Sequence, residues 1–339
     1  MCQPIASTTL AFPIDNRYLK FYEIYLRMTN VSWRHTNVIS AGDKSAYALV
    51  DERVKKLYIP FLKLLNSTDT IVGANWAVTV PERVRQIMFV DLCKRFIEFI
   101  EGEHALTYQK FISDFIEDPL VRKELFESNQ VYGPVILLDE YARDYIRNED
   151  YGYGLFANML IEHILLPVIF TFVGWTAEKS LDIVKRVPGF ITANTYIQAD
   201  EKTHVEFAFL ILDMFPELVP KNGAHIITKD GERVDADAMT LISRFVDFVD
   251  AFLDDAFDGI EVPGITADIL KTIARSQANE LIRKYASEDA VLYKVGTMPG
   301  YMLAANRMKK EAFFETTTAV YSHVESTVWG DISKEVTDI

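Results

Sequence analysis

Two short motifs constrain this chain more than anything else in it: Glu101-Gly102-Glu103-His104 and Glu201-Lys202-Thr203-His204. Each is a Glu-x-x-His set inside a long apolar stretch of helical period. Positions i and i+3 of a helix share a face, so each motif aims one carboxylate and one imidazole at the same point. Two further acidic residues complete the pattern. Asp69 precedes the first motif, and Glu162 lies in an apolar run between the two. From 153 to 176 no other aspartate or glutamate occurs. A buried carboxylate without a partner is unfavourable, so Glu162 calls for a cation or a proton. The plainer readings are a pairing with His163 or a surface position on an otherwise buried helix. Four helical elements converging on a pair of metal ions account for all six residues together.

The rest of the chain reads in the same period. No βαβ pattern, GxGxxG or phosphate loop occurs. Asp43 to Leu65 reads as a first long helix, and Asp69 begins the next segment. Pro81-Glu82-Arg83 opens a helix that runs through the first motif to about Phe115, proline being favoured in a first turn. Shorter helices come next at 119–128 and 131–147. Tyr151-Gly152-Tyr153-Gly154 reads as a break before the Glu162 helix, and Pro188-Gly189 opens the helix of the second motif, which ends near Pro216. Ile226 to Val234 has the look of a small β-hairpin. Further helices are expected at 238–257, 266–285 and 304–321. The ligand-bearing helices interleave across 69–204 and cannot be cut apart. The expected fold is therefore all-α, a ferritin-like helical bundle around a buried di-metal carboxylate site. In that architecture two helices give one carboxylate each and two give a Glu-x-x-His. One domain is expected over 1–322, with 323–339 as a polar, acidic, flexible tail.

Charge and hydropathy exclude two classes of partner. With 49 acidic against 35 basic residues the formal charge is −14, which does not suit a nucleic-acid surface. Leu155 to Trp175 is long enough to cross a bilayer, but Asn158, Glu162 and His163 sit near its middle. A carboxylate at that depth costs roughly 3 kcal/mol or more. A central bundle helix, apolar all round with one buried ligand, fits better. Cys2 and Cys93 are too few for a disulfide framework. The first residues carry neither a basic n-region nor a long apolar h-region, and a cytoplasmic location is the expectation.

Hard carboxylate oxygens with only two imidazoles suit iron or manganese, and the absence of thiolate ligands argues against zinc or an iron–sulfur cluster. Two iron ions are the first expectation, with a dimanganese or mixed pair as alternatives. Tyr108 lies four residues after His104 and seven after Glu101, on the same helix face. Leu166, Phe170 and Ile197 are spaced to build a dry pocket near its phenol. Spacing leaves two readings open: a redox-active tyrosine, or a core aromatic hydrogen-bonded to a ligand carboxylate.

The combination resembles a known family, the radical-bearing small subunit of class I ribonucleotide reductase. Glu101-Gly102-Glu103-His104-Ala105-Leu106-Thr107-Tyr108 is similar to that family's Glu-x-x-His-x-x-x-Tyr, and Asp200-Glu201-Lys202-Thr203-His204 to its Asp-Glu-x-x-His. Thr68-Asp69-Thr70-Ile71-Val72 resembles its first-ligand segment, Ser32-Trp33-Arg34 its tryptophan segment, and Phe313-Phe314-Glu315 with Tyr321 its C-terminal segment. The resemblance implies that Asp69, Glu101, His104, Glu162, Glu201 and His204 bind the metals and that O2 activation there leaves a radical on Tyr108. It implies that Asp200 links His104 to Trp33, and that Trp33 and Tyr321 carry the oxidising equivalent to a separate large subunit. The C-terminus, through Asp338 and Ile339, would dock on that subunit, and the small subunit would be a homodimer. The spacing from Glu162 to Glu201, the segment Gly296-Thr297-Met298-Pro299-Gly300-Tyr301 and the tail depart from the family's usual sequence. A stand-alone di-metal oxygenase and a metal-storage protein are the competing functions, since fold alone does not fix function.

Overall fold

The computed structural model describes residues 18–38, 42–127, 151–177, 186–227, 231–286 and 290–296. The helices expected over 131–147 and 304–321, Tyr321 and the tail lie outside these residues. Helix α1 (Leu19–Asn30) and the short α2 (His35–Val38) and α3 (Asp43–Ala48) lead into α4 (Glu52–Thr79). The short α5 (Glu82–Arg85) precedes α6 (Met88–Phe115), and α7 (Pro119–Glu127) comes next. Helix α8 (Tyr151–Leu160), a π-helical turn (Ile161–Leu165) and α9 (Leu166–Thr176) run on without a break. Helix α10 (Pro188–Met214) completes the ligand-bearing set. A two-stranded antiparallel hairpin, β1 (His225–Ile227) and β2 (Arg233–Asp235), separates it from α11 (Ala238–Ala256) and α12 (Ala267–Tyr285).

Several boundaries differ from the sequence reading. The break expected between Leu65 and Asp69 does not exist: Asp69 lies deep inside the 28-residue α4. The chain instead breaks at Leu49–Asp51, where the Asp51 side chain accepts the Arg53 N–H at 2.9 Å and caps the new helix. Pro60 sits within α4, where it removes one bond from the helical ladder. The helix begun at Pro81 stops after Arg85 and restarts at Met88. The glycines of 151–154 do not break the chain but lie inside α8. Gly154 is there for contact, since a Cβ on it would come within 2.2 Å of Thr79 Cγ2. Helix α1, absent from the sequence reading although its apolar residues recur at helical spacing, buries Phe21, Ile24 and Met28 against the bundle.

The stretch Gly154–Thr176 is long and apolar enough for a bilayer, yet most of it is buried inside the bundle. It is a core helix. Aromatic rings close both ends of the interior. Tyr47 stacks on Phe115 at 4.3 Å, Phe61 on Phe172 at 4.2 Å, and Phe190 meets Phe111 edge-on at 5.1 Å. At the other end Phe207 packs between Phe21 and Trp76. The start of α10 is fixed from far away. Buried Asp43 accepts the Gly189 N–H at 2.9 Å, an anion placed on a helix N-terminus. The approach needs glycine, for a Cβ at 189 would lie 2.0 Å from Asp43 Oδ2 and 2.8 Å from the Val38 carbonyl.

Candidate metal centre

Between the aromatic ends, four helical elements present six ligand-type residues to one point. Asp69 comes from α4, Glu101 and His104 from α6, Glu162 from the π turn, and Glu201 and His204 from α10. All six are at most 2% exposed. The π turn matters locally. It adds a residue to the helical circuit and so rotates the facing of α9, and Pro167 just beyond it has no N–H to offer the α ladder. Glu162 thus sits where helix geometry is widened.

The six residues form two overlapping groups. Glu101, Glu162, Glu201 and His204 make one, and Asp69, Glu101 and His104 the other, each with candidate ligand atoms within 4.8 Å of one another. Glu101 is common to both. Both imidazoles present Nδ1 to the carboxylates: His104 Nδ1 lies 3.1 Å from Glu201 Oε1 and 3.3 Å from Glu101 Oε2, and His204 Nδ1 lies 3.0 Å from Glu101 Oε1. His204 Nδ1 also hydrogen-bonds Glu201 Oε2 at 3.3 Å, but much of the cluster stays unsatisfied. Asp69 Oδ2, both Glu101 oxygens, His104 Nδ1, Glu162 Oε2, Glu201 Oε1 and His204 Nε2 are buried without a hydrogen-bond partner. Convergent, buried, orphaned oxygens and nitrogens on four supports are what a pair of divalent cations satisfies. The residues fit a di-metal group, and the donor set of four carboxylates and two imidazoles fits iron or manganese.

Without cations, protons must balance the charge. Burial, then the neighbouring Glu101, holds Asp69 well above the usual carboxylate range. Burial likewise raises Glu162, with Glu201 and Glu101 adding to it and His204 opposing. Burial also disfavours charge on His104 and His204, but the surrounding carboxylates outweigh it and hold both imidazoles well above their ordinary value. Glu101 is the exception: burial would raise it, yet His104 and His204 together hold it low.

A second layer orients these groups. Trp33 Nε1 donates to Asp200 Oδ2 at 2.8 Å, and His104 Nε2 lies 3.2 Å from the same oxygen. The Trp33 and His104 rings stack at 5.7 Å with 18° between their planes. Asp200 is 5% exposed, so it does not face solvent although it precedes Glu201 by one position. The loop bearing Trp33 is tied to α6 by Glu103, whose carboxylate accepts from the His35 backbone N–H at 3.0 Å and from Arg34 Nη1 at 3.2 Å.

Tyr108 is fully buried one turn beyond His104. Leu166, Phe170 and Ile197, expected around it, are buried as well. Its hydroxyl does not bond a ligand carboxylate; it donates to Asn194 Oδ1 at 2.8 Å. Sequence reasoning misses Asn194, and it misses Trp76, whose Nε1 donates to Glu162 Oε1 at 2.9 Å. Both carry a usable signal. Trp76 lies seven positions after Asp69 and Asn194 seven before Glu201, just as Tyr108 lies seven after Glu101. Seven residues are two helical turns, which returns to the same face.

Comparison with known proteins places the chain in a family. Residues 11–294 match the profile of the family described as ribonucleotide reductase, small chain. A ribonucleoside-diphosphate reductase small chain of African swine fever virus is 20% identical over 322 residues, covering 92% of this chain and 90% of the relative. The corresponding small subunit of Plasmodium falciparum is 22% identical over 224 residues, covering 65% of this chain and 67% of the relative. Among solved structures, a putative class I ribonucleotide reductase from Bacillus halodurans aligns with TM-score 0.63 at 16% identity, over 80% of this chain and 93% of that one. The dimanganese(II)-NrdF of Streptococcus sanguinis aligns with TM-score 0.65 at 13% identity, over 89% and 99%. At such identities the structures speak for the fold, the all-α bundle, while the profile spans most of the sequence and both Glu-x-x-His motifs. The chain belongs to the ribonucleotide reductase small-chain family.

Proposed function

We propose that this small subunit generates a tyrosyl radical at Tyr108, beside a site where Asp69, Glu101, His104, Glu162, Glu201 and His204 would hold two metal ions that would supply the chemistry for O2 activation. The observation that carries this reading is a pair of ligand groups sharing Glu101, with a fully buried tyrosine two turns along the same helix. When bound, a pair of redox-active ions supplies the electrons that reduce O2 and the oxidising power taken up by the phenol. The protein's own groups do the rest. The four carboxylates offset the charge of two divalent ions in a water-excluded core. Asp200, accepting from His104 Nε2, keeps Nδ1 turned to the metal. Burial excludes the water and reductants that would quench a phenoxyl radical.

Trp33, on the far side of Asp200 from the metals, is the first station outward in this reading, and Tyr321 the last before a separate large subunit that reduces ribonucleotides to deoxyribonucleotides. Residues 323–339, ending in Asp338 and Ile339, supply the docking segment. The active small subunit is a homodimer in the cytoplasm. Iron is the first metal to test. A dimanganese pair, of the kind named for the Streptococcus sanguinis protein, or a mixed pair uses nearly the same ligands.

The test is electron paramagnetic resonance after Fe(II) and O2 are added to metal-free protein, with Tyr108→Phe alongside and Mn(II) as a parallel loading. A tyrosyl signal present in wild type and absent in Tyr108→Phe is expected. A metal centre that consumes O2 under every loading without leaving a radical would overturn the reading.

A further inference from the structure

The hydroxyl of Tyr108, one helical turn beyond His104, bonds to no ligand carboxylate. Burial, then Asp69, Glu201 and Glu101, push its ionisation well above the ordinary phenol range, so the ring stands within electrostatic reach of the metal ligands. Yet its hydrogen bond runs to the side-chain oxygen of Asn194, 2.8 Å away, and Asn194 is itself 2% exposed.

The sense of that bond is fixed. Asn194 Nδ2 donates to the Phe190 carbonyl at 2.8 Å, one turn back on α10. The opposite amide orientation would set Oδ1 against that carbonyl, two acceptors face to face. With the NH2 committed, Oδ1 faces the ring, and a carbonyl oxygen only accepts. The phenol must therefore donate. An amide oxygen is a good hydrogen-bond acceptor and a very poor base, so it holds the phenolic hydrogen without being able to take it.

We propose that Asn194 is a positioning residue for Tyr108: it holds the phenol as a donor to a non-basic oxygen, and oxidation of the tyrosine requires that hydrogen bond to be given up. This rests on the radical reading above. In the oxidation, Tyr108 would give one electron to the oxidant that a bound metal pair and O2 would supply, and its O–H bond would break. The C–O bond stays intact, and the proton passes to a basic oxygen of the metal site, since the amide cannot accept it. While the Asn194 bond stands, the hydrogen is held by an oxygen that cannot take it. The reduced tyrosine is stabilised by the bond, whereas a phenoxyl oxygen in the same place would face the amide oxygen with no hydrogen between them. Asn194 thus works as a latch on the reduced state, carried by the helix that also supplies Asp200, Glu201 and His204.

The test has one arm without metal and one with it. In metal-free protein, the ultraviolet resonance Raman difference between wild type and Tyr108→Phe isolates the Tyr108 ring, whose band pattern distinguishes a donor phenol from a free one. The donor pattern is expected in wild type and is expected to vanish in Asn194→Leu, a near-isostere. Asn194→Ala, which cannot overpack, replaces it if circular dichroism shows the leucine variant disturbed. In the second arm, Fe(II) and O2 are added and the radical is tracked by freeze-quench paramagnetic resonance. Loss of the latch is expected to speed radical appearance by roughly three- to ten-fold, the factor that one neutral hydrogen bond is worth. It is also expected to change the β-methylene hyperfine pattern as the ring is freed. An unchanged Raman pattern in the variants, or wild-type radical kinetics with an unchanged hyperfine pattern, overturns the role of Asn194 while leaving the radical reading standing. A wild-type protein that forms no radical under any loading overturns both.

Discussion

The ligand-bearing quartet of helices and the α11–α12 pair are built on opposite plans. In α11–α12 the interior is mostly hydrocarbon: Ile242, Val249 and Leu253 are buried on one helix and Leu270, Ala274 and Leu281 on the other, and the buried amide of Asn279 is satisfied by the Tyr293 backbone. Charges stand at the rim, where Lys271 meets Asp254 and Arg275 meets Asp250. Each helix is capped by its own leading residue, Asp237 accepting from Thr240 N and Thr266 from Ile269 N. The quartet inverts this. Its centre holds six ionisable candidate ligands with orphaned atoms, and although Asp51 caps α4 locally, α10 begins at Pro188 without a side-chain cap of its own and relies on Asp43 from early in the chain. The pair is made to be stable. The quartet is made to hold charge, and it leans on its neighbours for stability.

The sharpest way to break that contrast is Glu101→Ala. Glu101 belongs to both ligand groups, so its removal is expected to cost both ions, read by metal analysis as a fall from two per chain to fewer than one, with no radical. A variant that retains two ions would show that the groups do not share this residue. Next in size is Leu253→Ala in α11. A fully buried leucine there is expected to cost about 2–5 kcal/mol of stability, seen in denaturant melts, with metal content unchanged. Coupled loss of metal would show that the two plans are not separable.

The smallest effect is a pH dependence confined to the quartet. Asp69, Glu162, His104 and His204 bind protons more tightly folded than unfolded. The stability they lend is complete below their unfolded pKa values and is lost as pH rises through the folded ones, starting above about pH 4 for the carboxylates and about 6.5 for the imidazoles. Glu101, held low, acts in the opposite sense. Glu101 acts only below its unfolded value of about 4.3, so above it the four raised groups set the sign: Tm of the metal-free protein is expected to fall as pH rises above about 6.5. Metal loading is expected to flatten the slope, because cations replace the protons. A metal-free Tm that rises with pH would contradict the proton-balanced cluster.

The two plans also differ in how well they are read from sequence. The α11–α12 helices are expected at 238–257 and 266–285 and lie at Ala238–Ala256 and Ala267–Tyr285, because local caps and an apolar stripe of regular period dictate them. The ligand helices are placed by their motifs, but their ends are not. The α4 boundary falls where Asp51 caps rather than where polar residues begin, since Asn66, Ser67 and Thr68, which look like a break, are buried inside the helix. Asp200 is linked to Trp33 and His104 through the family resemblance rather than through spacing, and the distances within that set are a matter of tertiary packing. Asn194 and Trp76 escape because a polar or aromatic residue on a buried face looks like ordinary core until its partner on another helix is known. The π turn at Glu162 has no composition of its own and is not legible at all.

The Asp43–Gly189 contact has a metrical consequence. Gly189 is the zero mark of a ruler. At ~1.5 Å of rise per residue, Asn194 stands ~8 Å from it, Asp200 and Glu201 ~17–18 Å, and His204 ~23 Å. A rigid helix transmits any shift of its origin undiminished, so the distance from the tyrosine latch and the distance to the metal ligands are set together by one carboxylate lying outside both. Tolerances in the centre are inherited from a joint more than a turn away, which belongs to neither ligand group.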